Sequence, residues 1–156
     1  MICRWIEEEK TAVLWMVGWE RGGLKWPLTA AALDREMAVR QAEQEAKAFV
    51  ALDRKGEPAG FFCCSPWGKR SLELRFLLVP PERRGQGVGG RIVRLAQAYA
   101  RSAGAGGLYA TAFESDPAIA ACLTAAGFRE IARSQPSFSF RGEPWRRVRM
   151  RWKAKE

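Results

Sequence analysis

A glycine-rich loop between a strand pattern and a helix pattern constrains this chain more than any other feature of its sequence. The apolar run 71–79 predicts a strand that ends at two prolines, and Arg84 then leads into the loop 85–90. From Val88 onwards the apolar residues follow the helical period, so the loop opens a helix. The N-terminus of such a helix has unpaired backbone N–H groups and a partial positive charge, which suit a phosphate group. We therefore expect an α/β chain with an anion-binding turn.

The periodicity of the whole chain predicts one α/β domain, residues 1–156, without a linker or an internal repeat. The expected order is β-α-α-β-β-β-α-β-α-β-β, which gives a mixed sheet flanked by helices on both faces. A run at 13–17 also fits a strand inside the first expected helix, since short apolar runs are ambiguous. The expected strands are 2–6, 46–52, 59–65, 71–79, 107–113, 130–133 and 145–152, and the expected helices are 7–20, one from Thr29, 88–104 and 117–126.

Composition excludes several classes of catalyst. The chain of 156 residues contains no histidine, which rules out a Ser-His-Asp or Cys-His mechanism. Its four cysteines, Cys3, Cys63, Cys64 and Cys122, lack metal-ligand spacing, so we expect no metal site and reduced thiols in a cytoplasmic protein. The longest apolar stretch, 12–17, is too short to span a bilayer and no secretory signal is visible, so we expect no membrane contact.

The net charge of +9 leaves more than one interpretation open. A basic surface can meet an anionic cofactor, an acidic substrate or nucleic acid, and it can also serve solubility alone. The expected last strand alternates, with Arg147, Arg149 and Arg151 on one face and apolar residues on the other. Such a row fits a nucleic-acid-binding module or a solvated strand edge. We take nucleic-acid binding as the weaker alternative function.

Three kinds of phosphate-binding loop bear comparison with residues 85–90. A P-loop requires Gly-Lys followed by Ser or Thr, which this loop lacks. Gly85, Gly87 and Gly90 match a dinucleotide fingerprint in letters, but the loop follows antiparallel hairpins and no acid stands about 20 residues further on. The stretch 84–89, Arg-Gly-Gln-Gly-Val-Gly, resembles the Arg/Gln-x-x-Gly-x-Gly/Ala signature of the GNAT acyl-CoA-dependent N-acetyltransferases.

A second landmark strengthens this resemblance. Asp116, Pro117 and Ala118 are similar to the Asn-x-x-Ala that opens a later helix in the family, and Gly127-Phe128 is similar to its Gly-Phe close. Asp116 also suits an N-cap, and Gly127 suits a helix stop. The separation of the two landmarks and the expected element order are those of the family. The resemblance covers roughly residues 46–130 well and the first 45 loosely.

The resemblance implies acetyl-CoA as co-substrate and a primary amine as acceptor, which attacks the thioester directly. In the family the pyrophosphate lies on the backbone amides of the loop, and the pantetheine arm pairs with the splayed end of the preceding strand. A backbone N–H of that strand can stabilise the oxyanion. Arg83, beside Arg84, is expected to add positive charge for the phosphates. The expected cofactor-binding residues are Leu77, Leu78, Val79, Arg84, Gly85, Gln86, Gly87, Val88, Gly89, Gly90 and Asp116.

A general base is expected, because an ammonium group with a pKa of about 10 must lose its proton before it attacks. In part of the family a glutamate lies six residues before the valine that ends this strand, and Glu73 holds that position. Glu73 is therefore the expected catalytic residue, with an ion pair to Arg75 or a neighbouring-strand cation as the structural alternative. Glu114 is the reserve base, and a loop carboxylate near Arg129 is its structural alternative.

The sequence departs from the family pattern at the general acid. Many members place a tyrosine five residues before the closing phenylalanine, where this chain has Leu123. Tyr99 is expected in the core and Tyr109 in a structural strand position, and Cys122 is expected to be a small buried thiol. Either water protonates the leaving thiolate, or a residue outside the motif does. A GNAT-fold protein that binds acyl-CoA without catalysis is therefore an alternative function.

The acceptor is the least constrained part of the prediction. The family places it between the first helices and the last strands, where four tryptophans could form aromatic walls or simply pack: Trp19, Trp26, Trp67 and Trp145. Few acids cluster there, so a polyamine or aminoglycoside is disfavoured, and a neutral or acidic small amine or a protein amine is expected. The acyl chain, the acceptor and the oligomeric state, including a homodimer, stay open.

Overall fold

The structure, a computed structural model, describes residues 2–5, 47–79, 83, 85–114, 117–134, 138–140 and 143–155. The strands are β1 Ile2–Trp5, β2 Lys47–Leu52, β3 Pro58–Trp67, β4 Ser71–Leu78, β5 Gly107–Phe113, β6 Arg129–Arg133, β7 Phe138–Phe140, β8 Glu143–Trp145 and β9 Arg147–Lys153. Two helices lie between them, α1 Val88–Ser102 and α2 Pro117–Ala125. No helix in these ranges is both long and apolar enough to cross a membrane.

A seven-stranded mixed sheet forms the frame, in the order β1-β2-β3-β4-β5-β9-β6. Strands β1 to β4 pair antiparallel, with short turns between β2 and β3 and between β3 and β4. β4 and β5 run parallel because α1 crosses between them. Strand β9 returns between β5 and β6 and pairs antiparallel with both. β7 and β8 form a separate two-stranded hairpin. The predicted mixed sheet flanked by helices is confirmed.

Both helices end on a glycine with positive φ. At the end of α2, Gly127 has φ 95°, and the Phe128 N–H donates to the Leu123 carbonyl at 3.0 Å. At the end of α1, Gly104 has φ 73°, and the Ala105 N–H donates to the Ala100 carbonyl at 2.9 Å. These are Schellman closures, in which glycine reaches the left-handed region without a Cβ clash. The predicted ends of both helices, near Gly104 and at Gly127, are confirmed.

The helices pack on one face of the sheet and close the core there. Alternate positions of the central strands point to them, for example Leu74 on β4, Ala110 on β5 and Met150 on β9. The apolar face of α1 meets these positions through Ile92 and Ala96, which are fully buried. The opposite face of the sheet carries the other set of alternating residues, including Glu73. The sheet therefore separates an apolar, helix-covered side from a side with polar groups.

Tyr99 of α1 was expected in the core, but it lies beside the buried stripe of this helix. Leu95 and Tyr99 are half-buried, whereas Val93 and Gln97 are buried. The stripe turns toward α2, because the Gln97 side chain donates from Nε2 to the Ala126 carbonyl at 2.8 Å. That bond satisfies a carbonyl at the C-terminal end of α2, which would otherwise lack a partner inside the helix.

Most predicted strands are confirmed with small shifts of their ends, and β5 has its predicted bounds. The predicted strand 145–152 is wrong as a single element. Trp145 ends β8, which pairs with β7, whereas β9 begins at Arg147 and pairs with β5, so the chain leaves one sheet for the other at Arg146. The two helices expected at 7–20 and from Thr29, and with them the second helical layer, lie outside the described residues.

Candidate active site

Strands β4 and β5 form a fork. In the described part of the chain their last paired residues are Leu74 and Ala110. Beyond this pair β4 continues along β3 and β5 continues along β9, so the two strands diverge. Backbone groups on the facing edges of the fork are thereby exposed to an extended ligand, as at any open strand edge.

A bulge lies in β4 on the open arm of this fork. Cys63 pairs with Arg75 and Phe61 pairs with Leu78, so two steps along β3 correspond to three steps along β4. A bulge takes backbone groups out of the regular ladder and re-aims them, and bulges are frequent next to active sites. The irregularity gives β4 a place where a backbone N–H can point away from β3.

The glycine-rich loop stands at the end of the same strand. Gly85 and Gly87 both have φ 77°, and Gly87 is the N-cap of α1. The first turn of α1 contains no acidic residue, so no carboxylate there offsets the positive end of the helix dipole. The loop and the first turn thus form an electropositive backbone surface at the mouth of the fork.

Gly89 and Gly90 have different surroundings. A Cβ on Gly89 would lie 3.0 Å from Cys122 Sγ, so Gly89 allows α1 and α2 to approach closely. A Cβ on Gly90 would meet nothing within 4 Å. Gly89 therefore serves helix packing, while Gly90 leaves open space beside the first turn of α1.

Arg83, predicted to add charge for the phosphates, contacts carboxylates in this structure, and its role toward phosphate stays a prediction. Its Nη2 lies 2.9 Å from Asp53 Oδ2 and 3.5 Å from Glu57 Oε2, both in the turn between β2 and β3. These contacts, after hydrogen bonds from the Glu57 backbone, help hold the pKa of Asp53 below its ordinary value. The side chain of Arg83 is therefore bound to the turn between β2 and β3.

Glu73 lies at the root of the fork and is 6% exposed. Its Oε2 accepts a hydrogen bond from Arg149 Nη2 at 2.6 Å, and Arg149 Nη1 donates to Thr111 Oγ1 at 3.0 Å. Arg149 stands on β9, two strands away from Glu73, and reaches across β5 to make the pair. A short charge-assisted bond at low exposure fixes both groups, and removal of one partner would leave the other charge buried.

Two aromatic rings frame the guanidinium of Arg149. Its Cζ lies 4.6 Å from the centre of the Trp67 ring and 5.3 Å from the centre of the Tyr109 ring. The two rings are 6.0 Å apart at a tilt of 46°. Cation–π contact with both rings helps hold the planar group in one orientation. Trp67 is nevertheless 47% exposed, so this cluster borders open space.

The described members of the predicted cofactor-binding set lie at the end of β4, in the glycine loop and in the first turn of α1. Leu77 is buried in the helix-side core, and Val79 follows the strand end and is half-buried. Val88 is buried under the first turn of α1. Arg84 and Asp116 lie outside the described residues, as does the side chain of Leu78. The assignment of these positions to coenzyme A stays a prediction.

The reserve base, Glu114, lies on the other side of the sheet. It is paired with Arg133 and Arg146, each at 3.4 Å, rather than with Arg129 as expected. It borders a groove of about 450 Å³ beneath α2, whose other lining residues include Phe128. The groove and the Glu73 cluster lie on opposite faces, so Glu114 and Glu73 do not share a site.

The residues considered as general acids lie in different parts of the fold. Leu123 is 1% exposed and belongs to the core, so no side chain at that position reaches the fork without repacking. Tyr99 packs against Phe49 with ring centres 4.7 Å apart, and burial raises the pKa of its hydroxyl. Cys122 faces Gly89. Tyr109 is the tyrosine that lies beside Glu73, since the two residues pair across β4 and β5.

Sequence reasoning missed Arg149 and Thr111 as members of this cluster. The alternation of β9 put Arg149 on the correct face, but only as one of three arginines. The missing information is the insertion of β9 beside β5, which sets Thr111 opposite Arg149. A buried glutamate demands a cation partner, and this rule was the available signal that one arginine of the row must turn inward.

Comparisons with known proteins agree with this geometry. A model of the acetyltransferase (GNAT) family matches residues 7–128. No sequence among the curated proteins matches the chain significantly.

Several solved structures share its fold. A spermidine N-acetyltransferase SpeG chimera from Vibrio cholerae and hSSAT has a TM-score of 0.77 at 16% identity, covering 97% of this chain and 94% of that one. An IAA acetyltransferase from Bacillus cereus ATCC 14579 has a TM-score of 0.73 at 17% identity, with coverage of 98% and 99%. A ribosomal-protein-alanine N-acetyltransferase from Brucella melitensis has a TM-score of 0.74 at 18% identity, with coverage of 99% and 100%.

At such identities these likenesses establish the shared fold alone. The family model spans well over half of the chain, and its range includes the fork, the glycine loop and Glu73. The chain therefore belongs to the acetyltransferase (GNAT) family, a family of acyltransferases.

Proposed function

We propose that this protein transfers an acetyl group from acetyl-CoA to a primary amine. The single observation that carries this proposal is the fork between β4 and β5, with a glycine loop and a helix N-terminus at its mouth and a carboxylate at its root. This arrangement offers a site for an anion, an open strand edge for an extended arm and a base, on α1, β4 and the root of the fork. We also propose a cytoplasmic setting, since Cys63, Cys64 and Cys122 are reduced cysteines in the described part of the chain.

In the proposed mechanism the pyrophosphate lies on the backbone N–H groups from Gly85 to Gly90. The pantetheine arm lies along the open arm of β4, and the bulge after Arg75 offers a backbone N–H to the thioester oxygen. The neutral amine attacks the thioester carbon, the C–S bond breaks, and an amide and coenzyme A are formed. Water protonates the leaving thiolate, since Leu123 cannot do so.

Glu73 takes the proton that the amine loses, directly or through a water molecule. Arg149 orients the carboxylate through its hydrogen bond, and Thr111 fixes Arg149 in turn. A base held this rigidly meets the positional requirement for general-base catalysis, which contributes about 10²–10⁴-fold to rates.

The test of this role is coenzyme A release from acetyl-CoA across a panel of amines, with Glu73→Gln and Glu114→Gln compared. Gln preserves the size of the side chain and can still accept a hydrogen bond from Arg149. We expect Glu73→Gln to lower kcat by about 10²-fold or more while acetyl-CoA binding is unchanged. We expect Glu114→Gln to turn over at the wild-type rate, because the Glu114 carboxylate lies on the helix-covered face of the sheet, opposite Glu73. Equal turnover by wild type and Glu73→Gln would show that Glu73 is not the base.

A second candidate is a protein that binds acyl-CoA without catalysis. The burial of Leu123, where many family members carry a tyrosine, is the observation that favours it. Acetyl-CoA binding without turnover on any amine would support this candidate.

The row of arginines on β9 also had a nucleic-acid interpretation. Arg149 of that row turns to Glu73, and β9 is flanked by β5 and β6 rather than forming an edge. These contacts support the row as part of the acceptor side. A filter-binding titration of DNA and RNA at two salt concentrations tests the alternative.

A further inference from the structure

At the root of the fork, Arg149 has more N–H donors than its hydrogen bonds to Glu73 and Thr111 require. A guanidinium has five N–H donors, and the described contacts of Arg149 account for two of them. The side chain of Arg149 is 21% exposed, compared with 8% for that of Glu73. Part of the Arg149 side chain is therefore accessible to a ligand, and the Trp67 and Tyr109 rings hold the guanidinium plane in place.

The charge on this face of the sheet favours an anion. Strand β9 contributes Arg147, Arg149, Arg151 and Lys153 to it by alternation, and Arg129 of β6 pairs directly with Arg151. On the described strands of this face the acidic residue is Glu73, whose charge is already matched by Arg149. The described strands therefore contribute net positive charge near the root of the fork, which favours an acceptor with a negative group over a polycation.

The geometry also restricts where that negative group lies in the acceptor. The proposed base and the guanidinium are in direct contact at 2.6 Å. An acceptor that presents its amine to Glu73 and an anion to Arg149 must therefore carry the two groups as neighbours. A planar carboxylate fits the fork of N–H donors on a guanidinium better than a single point acceptor does.

We propose that the acceptor is an amino-acid-like compound with a carboxylate beside its amine, and that Arg149 binds this carboxylate. The inference rests on the proposed acetyl transfer. The amine nitrogen forms the new amide bond, the C–S bond of acetyl-CoA breaks, Glu73 accepts the amine proton, and the carboxylate passes through the reaction unchanged. Arg149 thus determines specificity and positions the base at the same time.

The test compares each L-amino acid with its own carboxamide as acceptor, with spermidine as a polycationic probe. We expect the wild type to acetylate at least one amino acid with a kcat/KM about tenfold or more above that of its amide, the effect expected for hydrogen bonds to a charged group. Arg149→Met is expected to bring this ratio close to one. Arg149→Lys keeps the charge and a bond to Glu73, so it should retain part of the preference.

Arg147→Met is the matched control, because it removes an equal charge from the same face of the same strand at an exposed position. We expect it to keep the acid-over-amide ratio. A purely structural role for Arg149 would lower the rates for acids and amides alike and leave the ratio unchanged. Equal or better use of amides or spermidine by the wild type would overturn the inference while leaving acetyl transfer intact.

Binding separates the failure of this inference from the failure of the proposed function. Calorimetric titration of amino acids and amides into protein saturated with coenzyme A requires no turnover. Binding of an amino acid that its amide does not share, and that Arg149→Met abolishes, supports the inference even if no acetyl group is transferred. Absence of binding by every amino acid would overturn it. Circular dichroism establishes whether each variant is folded. If Arg149→Met does not fold, Arg149→Lys replaces it in this comparison.

Discussion

At the scale of single residues, Leu123 stands where many members of the family have a tyrosine. The side chain is fully buried among the residues of the helix-side core, and its backbone carbonyl accepts the closing hydrogen bonds of α2. A side chain here supports the helix rather than the chemistry. Under the proposed acetyl transfer, the leaving thiolate would take its proton from water.

Replacement of Leu123 by the residue common in the family should not improve the protein. We expect Leu123→Tyr to lower the free energy of unfolding by about 1–3 kcal/mol, because the larger ring overpacks the core and buries a hydroxyl. Leu123→Met, which nearly conserves volume, should cost less than about 1.5 kcal/mol. Urea unfolding measures both. A Leu123→Tyr variant with undiminished stability and a higher kcat would show that this position faces the active site.

At the scale of elements, the turn between β2 and β3 anchors the approach to the glycine loop. Asp53 accepts hydrogen bonds at Oδ1 from the backbone N–H groups of Lys55 at 2.8 Å and Glu57 at 2.9 Å, and its Oδ2 pairs with Arg83. The Asp53 carboxylate thus closes the turn and also binds Arg83, which stands two positions before the loop. The turn is part of the support of the site although it contributes no catalytic group.

Substitution of Asp53 should therefore affect both stability and cofactor affinity. We expect Asp53→Ala to lower Tm by a few degrees and to weaken acetyl-CoA binding, while Glu57→Ala, which leaves the turn bonds in place, does less. The pKa of Asp53 is lowered by folding, so its stabilisation is complete above the ordinary pKa and is lost as the pH falls through the folded value. The difference in Tm between wild type and Asp53→Ala should accordingly shrink below about pH 4. A difference that grows on acidification would contradict this account.

The elements also show what the sequence could and could not predict. Strand β5, the alternation of β9 and the stop at Gly127 are local patterns, and each is confirmed. The position of β9 between β5 and β6 is a non-local pairing, which no local period encodes. The Glu73–Arg149 bond depends on that pairing, because the two residues are 76 positions apart. The hairpin of β7 and β8 was missed since its strands have three residues each.

At the scale of the whole molecule, the two faces of the sheet carry different kinds of residue. The helix-covered face holds the apolar core, and the opposite face holds Glu73, Arg149 and the basic residues of β9. The fork joins the two, because its mouth meets the N-terminus of α1 and its root lies on the polar face. Under the proposed function, the cofactor and the acceptor would approach the same point from different sides, which direct transfer requires.

The test of the cofactor site needs a position where a side chain can be added without backbone strain. Gly87 is unsuitable, because its φ of 77° strains any L-residue, and Gly89 is packed against Cys122. Gly90 has open space where a Cβ would stand and lies in the first turn of α1. A glutamate there is compatible with the helix dipole but places a negative charge where the pyrophosphate is expected.

The most direct measurement is a calorimetric titration with acetyl-CoA of the wild type, Gly90→Glu and Gly90→Gln. The two variants add side chains of the same size and differ only in charge. We predict that the wild type binds, that Gly90→Gln retains most of the affinity, and that Gly90→Glu loses at least tenfold because two like charges meet. No binding by the wild type to acetyl-CoA or longer acyl-CoAs, or equal affinity of the two variants, would contradict the placement of the cofactor at this loop.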